Sequence, residues 1–261
     1  MTDTPDPTRR APEDAGFFSR PRASMAAMAV ALVALALAAA PYAPGGDFGG
    51  RVRAYLLANP QVLDEVIQAR DVRANADRSR AVNAAVAANP GALEPGPLEP
   101  AFGPTDARVT VVEFFDYRCP YCKVAAPAYV ALMQAHPDVR FVFKEWPVLD
   151  QGDDVTSQYA ARAALAAHAQ GRYLAVHQAL MAERALSPEA IDRILVTNGV
   201  DLAEARTRLA SAGTSRVLAD VHTGAASVGL LGTPTFFING RVTESNDPAD
   251  LDRAIRAAKA G

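Results

Sequence analysis

The stretch VTVVEFFDYRCPYC, residues 109–122, decides how this chain folds. Residues 109–117 are mostly branched and aromatic, which predicts a central β-strand covered on both faces. Cys119 and Cys122 follow directly, separated by a proline and a tyrosine, and a helical pattern begins after them. They are the only cysteines among 261 residues. Two isolated thiols at the junction of a strand and a helix indicate a redox pair.

The chemistry of thiol exchange assigns different roles to the two cysteines. The thiolate is the attacking species, and Cys119 is predicted at the first turn of the helix, where unpaired N–H groups and the helix dipole favour a negative sulfur. Pro120 fits the first helical position because its missing N–H costs nothing there. Cys122 lies one turn further in and is expected to be shielded. We therefore predict that Cys119 is the nucleophile, that Cys122 resolves the mixed disulfide, and that Pro120 and Tyr121 tune the redox poise.

Two structural interpretations of the cysteine pair are less favoured. Half of a zinc site would need two more ligands at suitable spacing. The four histidines are scattered along the chain: His136, His168, His177 and His222. A purely structural disulfide closing so small a loop would stabilise the fold little.

The N-terminal region has the pattern of an export or membrane-insertion segment. Residues 1–22 form a polar, Pro-rich tail that carries arginines, and residues 23–46 contain no charged residue. Residues 38–40 are alanines and offer a cleavage site for a removed signal peptide, whereas the length of the uncharged run suits an anchor in the inner membrane. Both outcomes place the cysteines in a periplasmic or extracytoplasmic compartment, where disulfides persist. With a net charge of −3, nothing indicates a nucleic-acid partner.

The rest of the chain divides into three predicted parts. Residues 47–88 are expected to form a helical stalk, and one hypothesis is a homo-oligomer held through residues 48–88; the alternatives are an exposed spacer or a helix docked on its own domain. Residues 89–106 are rich in proline and glycine, which predicts a linker. Residues 107–261 are expected to form an α/β catalytic domain with a helical insertion over about 152–230.

The pattern within that domain predicts the remaining strands. Residues 139–146 read as a second strand, and residues 235–239 as a third that turns at Asn239-Gly240 into a short partner. A helix over residues 248–260 closes the chain.

This order of elements resembles the thioredoxin superfamily, and the helical insertion makes it similar to the DsbA-like thiol–disulfide oxidoreductases. The resemblance covers about residues 98–260. Glu113 lies six residues before the first cysteine, Pro127 lies five after the second, and a Gly-Thr-Pro triplet precedes the third strand at Thr233-Pro234. The fold class implied is α/β, a thioredoxin fold with a large helical insertion, preceded by a helical segment and a membrane-targeting segment.

A second resemblance concerns residues 51–67, RVRAYLLANPQVLDEVI. They are similar to the N-terminal segment of a bacterial subgroup of this family, the ScsC-like copper-sensitivity suppressors, some of which assemble through that segment. Because two close thiolates suit soft Cu(I), copper(I) binding or copper tolerance is the alternative function.

The resemblance gives roles to four further residues. Glu113 falls inside an apolar strand, where burial should raise its pKa and keep it protonated; family likeness implies proton transfer to or from Cys122. Lys144 is the candidate charge partner of Glu113 from the neighbouring strand. Pro234 is predicted to be cis, with Thr233 presenting its backbone to an extended substrate.

Together these features predict an extracytoplasmic thiol–disulfide oxidoreductase that acts on protein thiols and disulfides. No organic cofactor and no metal is required, and a membrane redox partner is expected to reset the pair. The sequence leaves open whether the protein acts as an isomerase, an oxidase or a reductase.

Overall fold

The computed structural model describes residues 21–39 and 47–261. The chain divides into two compact units, residues 1–69 and residues 70–261. The predicted polar tail falls mostly outside the described residues, as does the end of the predicted signal or anchor segment, residues 40–46.

The first unit is helical. Its elements are α1 (Pro21–Ala39), α2 (Phe48–Ala58) and the beginning of α3 (Gln61–Ala88). The Asp47 side chain caps α2 by accepting a hydrogen bond from the Gly50 N–H at 3.1 Å. Across residues 21–39 and 47–261, no helix has both the length and the apolar character needed to cross a membrane. The expectation of a signal peptide or membrane anchor in residues 23–46 stays a prediction, since residues 40–46 lie outside the described residues.

The second unit contains one mixed sheet and seven α-helices that follow α3 in the chain. The strands are β1 (Ala101–Phe102), β2 (Thr110–Phe115), β3 (Arg140–Glu145), β4 (Thr235–Ile238) and β5 (Arg241–Val242). The helices are α4 (Pro120–Ala135), α5 (Thr156–Ala169), α6 (Tyr173–Ala182), α7 (Pro188–Thr197), α8 (Leu202–Leu209), α9 (Ala212–Ser227) and α10 (Pro248–Ala260).

The sheet has the strand order β1-β3-β2-β4-β5. Only β2 and β3 run parallel, joined through α4, and the other neighbours pair antiparallel. Side chains of β2 alternate between two cores because successive residues of a strand point to opposite faces. Val111 and Phe115 enter one core with α4, while Val112 and Phe114 enter the other with α9. This thioredoxin-like α/β arrangement is the predicted fold, and α5–α9 form the helical insertion.

The segment predicted as a linker, residues 89–106, is built into the fold instead. Its β1 pairs with β3, and the Phe143 N–H donates to the Pro100 carbonyl at 2.9 Å. Leu93 and Glu99 are buried. This Pro- and Gly-rich lead-in segment is therefore packed against the sheet and is not a flexible linker.

The last turns of the predicted stalk also belong to the second unit. Val82 and Val86 of α3 are buried in the core on the α9 side of the sheet. The Asn83 side chain accepts a hydrogen bond from the N–H of Val242 at 2.8 Å, which covers the edge strand β5. Of the alternatives drawn from the sequence, docking on its own domain describes this end of α3.

The hairpin between β4 and β5 turns as the sequence indicates. Asn239 has φ 47° and Gly240 has φ 78°. Two successive left-handed residues are what a two-residue hairpin requires, and asparagine and glycine are the residues that tolerate this conformation best.

Candidate active site

The two cysteines lie at the N-terminal end of α4. Cys119 is the N-cap residue and is extended, with φ −69° and ψ 117°, and Pro120 occupies the first helical turn. Both thiols are free and buried; Cys122 has no exposed surface, and Cys119 retains 5%. Tyr121, between them, is 75% exposed. A substrate can therefore reach Cys119 more easily than Cys122.

Cys119 lies in surroundings that favour its thiolate. Hydrogen bonding from the Cys122 thiol lowers the pKa of Cys119 to about 5, against the opposing effect of partial burial. Hydrogen bonds from the Thr233 side chain and from the backbone N–H groups of Cys122 and Tyr121 lower this pKa further. In the protonated form, the thiol donates a hydrogen bond to the Thr233 carbonyl at 3.2 Å. Cys119 is therefore mostly ionised at neutral pH.

Cys122 has the opposite electrostatic character. Its hydrogen bond to Cys119, followed by burial, raises the pKa of the Cys122 thiol far above its usual range. The negative charges of Glu113 and of the Cys119 thiolate raise the pKa further. Cys122 thus keeps its proton while Cys119 carries the charge.

Glu113 lies in the middle of β2 with no exposed surface. It pairs in register with Phe143 on β3 and with Phe236 on β4. Neither carboxyl oxygen has a hydrogen-bond partner in the described part of the chain. Burial, followed by the negative charge of Cys119, raises the pKa of Glu113 to about 8. The carboxyl group is therefore largely protonated at neutral pH.

The Thr233–Pro234 peptide bond is cis, as the sequence predicted. Pro234 is buried, and Thr233, which contacts Cys119, is half-buried. The Asn246 side-chain amide donates to the Pro234 carbonyl at 3.1 Å, and the Thr235 hydroxyl donates to the Gly232 carbonyl at 2.7 Å. These bonds hold the loop against the sulfur.

Lys144 does not pair with Glu113, so that prediction is wrong. Lys144 is opposite Phe114 in the β2–β3 register, and side chains one residue apart on a strand point to opposite faces of the sheet. Its ammonium group instead donates to Glu99 Oε2 at 2.6 Å and to the Glu94 carbonyl at 2.7 Å. Lys144 therefore anchors the lead-in segment on the face of the sheet away from Glu113.

Asp116 is a site residue that the sequence analysis missed. Its carboxylate accepts hydrogen bonds from the N–H groups of Arg118, Val148 and Leu149 and from the Ser157 hydroxyl, at 2.7 to 3.0 Å. These bonds tie the turn before Cys119 to the loop after β3. An aspartate directly between the strand and the cysteine is the only signal of this role in the sequence.

A second missed group surrounds Glu145, at the end of β3. Glu145 Oε1 accepts hydrogen bonds from the hydroxyls of Tyr117 at 3.0 Å and Tyr173 at 2.8 Å. His177 Nδ1 lies 3.1 Å from the Tyr117 hydroxyl. Burial raises the pKa of Glu145 well above its ordinary value and lowers the pKa of His177 to about 3. The cluster is therefore expected to be uncharged.

Comparison with known proteins identifies two matching families. The DSBA-like thioredoxin domain matches residues 110–256, and the copper resistance protein ScsC N-terminal domain matches residues 47–75. A thioredoxin-like oxidoreductase from Silicibacter pomeroyi has 35% identity and a TM-score of 0.60, and the match covers 66% of this chain and 99% of that protein. ScsC of Proteus mirabilis in a transitional conformation has 26% identity and a TM-score of 0.60, over 82% of this chain and 94% of that one.

The curated relatives are much longer proteins. The chain is 40% identical over 141 residues to the Na(+)/H(+) antiporter NhaA 3 of Salinispora tropica, a match that covers 53% of this chain. It spans only 21% of that antiporter's length. The match to the DSBA-like thioredoxin domain covers more than half of the chain and includes both cysteines and Pro234. The chain therefore belongs to the family of DsbA-like thioredoxin domains and carries an N-terminal segment of the ScsC type.

Proposed function

We propose that this protein is an extracytoplasmic thiol–disulfide oxidoreductase that exchanges disulfides with protein substrates through Cys119 and Cys122. The observation that carries the proposal is the placement of the Cys119 sulfur at the N-terminus of α4, 3.2 Å from the carbonyl of Thr233. This position combines a stabilised thiolate with a backbone edge to which an extended peptide can bind.

The first chemical step is attack by the Cys119 thiolate on a substrate disulfide. A bond forms between Cys119 Sγ and one substrate sulfur, the substrate S–S bond breaks, and the other sulfur leaves as a thiolate. The released thiolate can attack another disulfide of the substrate, or Cys122 can resolve the complex. In the resolving step, the Cys122 sulfur attacks Cys119 Sγ and the substrate leaves as a second thiolate.

We assign Glu113 as the proton acceptor and donor for Cys122, and two observations support the assignment: Glu113 is fully buried in β2, and its charge raises the pKa of Cys122. Cys122 must lose its proton before it attacks, and it must regain one when the steps run backwards. A carboxyl group with a pKa of about 8 is present in both its protonated and its deprotonated form near neutral pH. It can therefore transfer a proton in either direction.

The direction of exchange depends on the reduction potential of the pair. A stabilised thiolate stabilises the reduced protein and so makes the disulfide more oxidising. The pKa of about 5 for Cys119 lies between that of thioredoxin, about 7, and that of DsbA, about 3.5. We therefore expect a reduction potential between those of thioredoxin and DsbA, so the direction of exchange has to be measured.

The deciding experiment is titration of the Cys119–Cys122 pair against glutathione. A potential of about −120 to −180 mV would support an oxidase or isomerase, whereas about −270 mV would mean a reductase. Cys119→Ser should abolish exchange and Cys122→Ser should trap mixed disulfides with substrates. Full exchange activity in the Cys119→Ser protein would rule out the mechanism.

The N-terminal region supports two further proposals, on location and assembly. The uncharged residues 23–46 favour export, and we expect a membrane redox partner to reset the pair. In the first unit, α2 and the start of α3 expose Tyr55, Leu57 and Val66, each at 60 to 67%, which favours self-association through residues 48–88. A clean monomer in sedimentation at high concentration would exclude the oligomer.

Copper(I) binding is the second candidate, favoured by the match to the copper resistance ScsC segment. Two sulfurs suit Cu(I), but the site would require Cys122 to give up a proton that burial and the bond to Cys119 retain. Within the described ranges, no cluster of three or more His, Cys, Asp and Glu side chains is placed to hold a metal. Competition with a Cu(I) chelator would test this function, since tight binding must disappear in both serine variants.

A further inference from the structure

A groove of about 690 Å³ lies beside the cis-proline loop, within the second unit. One wall is α3, which contributes Ala76, Ser79 and Val82. The facing wall comprises residues 229–232, Pro234 and Thr235, together with residues 242–244 and Asn246 at and after the end of β5. The volume falls within the range typical of ligand sites in proteins.

The α3 wall is fixed firmly to the domain. Val82 is buried, and Asn83 Oδ1 accepts the hydrogen bond from the edge strand β5 at 2.8 Å. One residue beyond the end of α3, the side-chain amide of Asn89 donates to the Ser227 hydroxyl at 2.8 Å. These contacts hold α3 against the domain from Val82 to the end of the helix, next to the groove.

The groove lies next to the loop that contacts the reactive sulfur. Pro234 belongs to its wall, and Thr233, the preceding residue, contacts Cys119. A polypeptide bound along the Thr233 backbone with its sulfur at Cys119 would therefore direct its flanking residues into the groove.

The lining identifies the chemistry of those flanking residues. Apolar Val82 and Leu230 alternate with the amide of Asn75 and the hydroxyl of Ser79. Charges are balanced, because Arg78 on the α3 wall has a counterpart of opposite sign, Glu244, on the facing wall. Such a surface offers hydrogen bonds and apolar contacts but no net charge to attract a charged segment, which favours an uncharged one.

We propose that this groove binds an extended, uncharged segment of the substrate polypeptide next to its reacting cysteine, so that α3 forms one wall of the substrate site. The proposal rests on the proposed oxidoreductase function. It assigns to the ScsC-type helix a contact with substrate in addition to any role in assembly.

The test is to fill the groove from the α3 side. Ala76→Trp places an indole in the groove, and Ala81→Trp is the matched control, because Ala81 is exposed on the same helix and is not among the groove residues. The substrates are glutathione disulfide and an uncharged, extended peptide with a mixed disulfide at its central cysteine. We expect Ala76→Trp to lower the ratio of kcat/KM for the peptide to that for glutathione disulfide by about tenfold or more, mainly through KM. Ala81→Trp should leave both rates unchanged.

The proposal would be overturned if a folded Ala76→Trp protein had the same ratio of kcat/KM for the peptide to kcat/KM for glutathione disulfide as the wild type. A second measurement does not depend on that variant: the Cys122→Ser protein is trapped with the peptide or with glutathione, and amide signals of residues 72–82 are compared by NMR. We expect these amide signals to shift in the complex with the peptide but not in the complex with glutathione. The absence of shifts with the peptide would refute binding in the groove. If the wild-type protein exchanged with neither glutathione disulfide nor the peptide, the proposed oxidoreductase function would be refuted. If it exchanged with both, but neither the Ala76→Trp variant nor the NMR signals of α3 showed the expected change, only the proposed role of the groove would be refuted.

Discussion

Replacing Glu113 by glutamine should change how stability depends on pH. Glu113 has an ordinary pKa of 4.5, which applies to the unfolded chain, and burial raises it to about 8 in the folded protein. A carboxyl group whose folded pKa is raised contributes its full stabilisation below pH 4.5, and this contribution is lost as pH rises through the folded pKa. Between those values the folded state holds a proton that the unfolded state has released.

The size of the effect follows from the shift. Stability falls by about 1.4 kcal/mol for each pH unit in this window, which amounts to a loss of about 5 kcal/mol between pH 4.5 and pH 8. In the reduced protein the lowered pKa of Cys119 acts in the opposite direction, since its thiolate stabilises the fold as pH rises. Joining the cysteines in a disulfide removes that titration. It also removes the thiolate charge that contributes to the Glu113 shift, so about 5 kcal/mol is an upper value there.

The assay is urea unfolding of the oxidised wild-type and Glu113→Gln proteins at several values from pH 4.5 to pH 9. We expect the free energy of unfolding of the variant to exceed that of the wild type by an amount that grows with pH and levels off near pH 8. Glu65→Gln, at an exposed position of α3, controls for the loss of one formal charge. Parallel curves for wild type and Glu113→Gln would refute the assignment of Glu113 as a buried, protonated acid.

Three other outcomes are expected from the same structure. Thiolate absorbance of the reduced protein should titrate with a midpoint near pH 5 in the wild type and disappear from that range in Cys119→Ser, while Cys122 contributes nothing there; a midpoint near the ordinary thiol value would contradict the site geometry. Lys144→Met should lower the free energy of unfolding by about 3–5 kcal/mol because it leaves Glu99 charged and buried, and the Lys144→Met/Glu99→Gln double variant should recover much of the loss. Additive losses in that double-mutant cycle would show that the pair does not interact. Asn83→Ala should cost about 1 kcal/mol by freeing an N–H of the edge strand β5, as measured by thermal unfolding.

Local patterns were sufficient to predict the centre of the fold. The apolar run before Cys119 became β2, and the helical pattern after the cysteines became α4. The hairpin at Asn239-Gly240 and the closing helix over residues 248–260 were also predicted, since each depends on residues near one another in the chain. The cis bond at Pro234 came from family resemblance rather than from spacing.

Contacts between residues far apart in the chain could not be predicted from the sequence. Lys144 was assigned to Glu113 because both lie on neighbouring strands, but the face toward which each points depends on the register, which the sequence did not reveal. Residues 89–106 were predicted to be a linker from their composition, yet their burial depends on a partner strand and on Lys144. The roles of Asp116 and Glu145 were not predicted for the same reason, since most of their hydrogen-bond partners lie 28 or more residues away in the chain.

The coupling between Glu113 and Cys119 also makes the redox chemistry depend on pH in a defined way. The Cys119 thiolate raises the pKa of Glu113, so a charged Glu113 must destabilise the thiolate by the same free energy. Below pH 8 Glu113 is mostly neutral and this repulsion is small. Above pH 8 it is charged, and the reduced state of the wild-type protein loses stability relative to the disulfide. The wild-type pair should therefore become more reducing than the pair in Glu113→Gln as pH rises past 8, while the two potentials converge near pH 6. In the proposed mechanism the same buried carboxyl group exchanges the proton of Cys122. That mechanism would therefore connect the pH dependence of stability to that of the exchange chemistry through a single side chain.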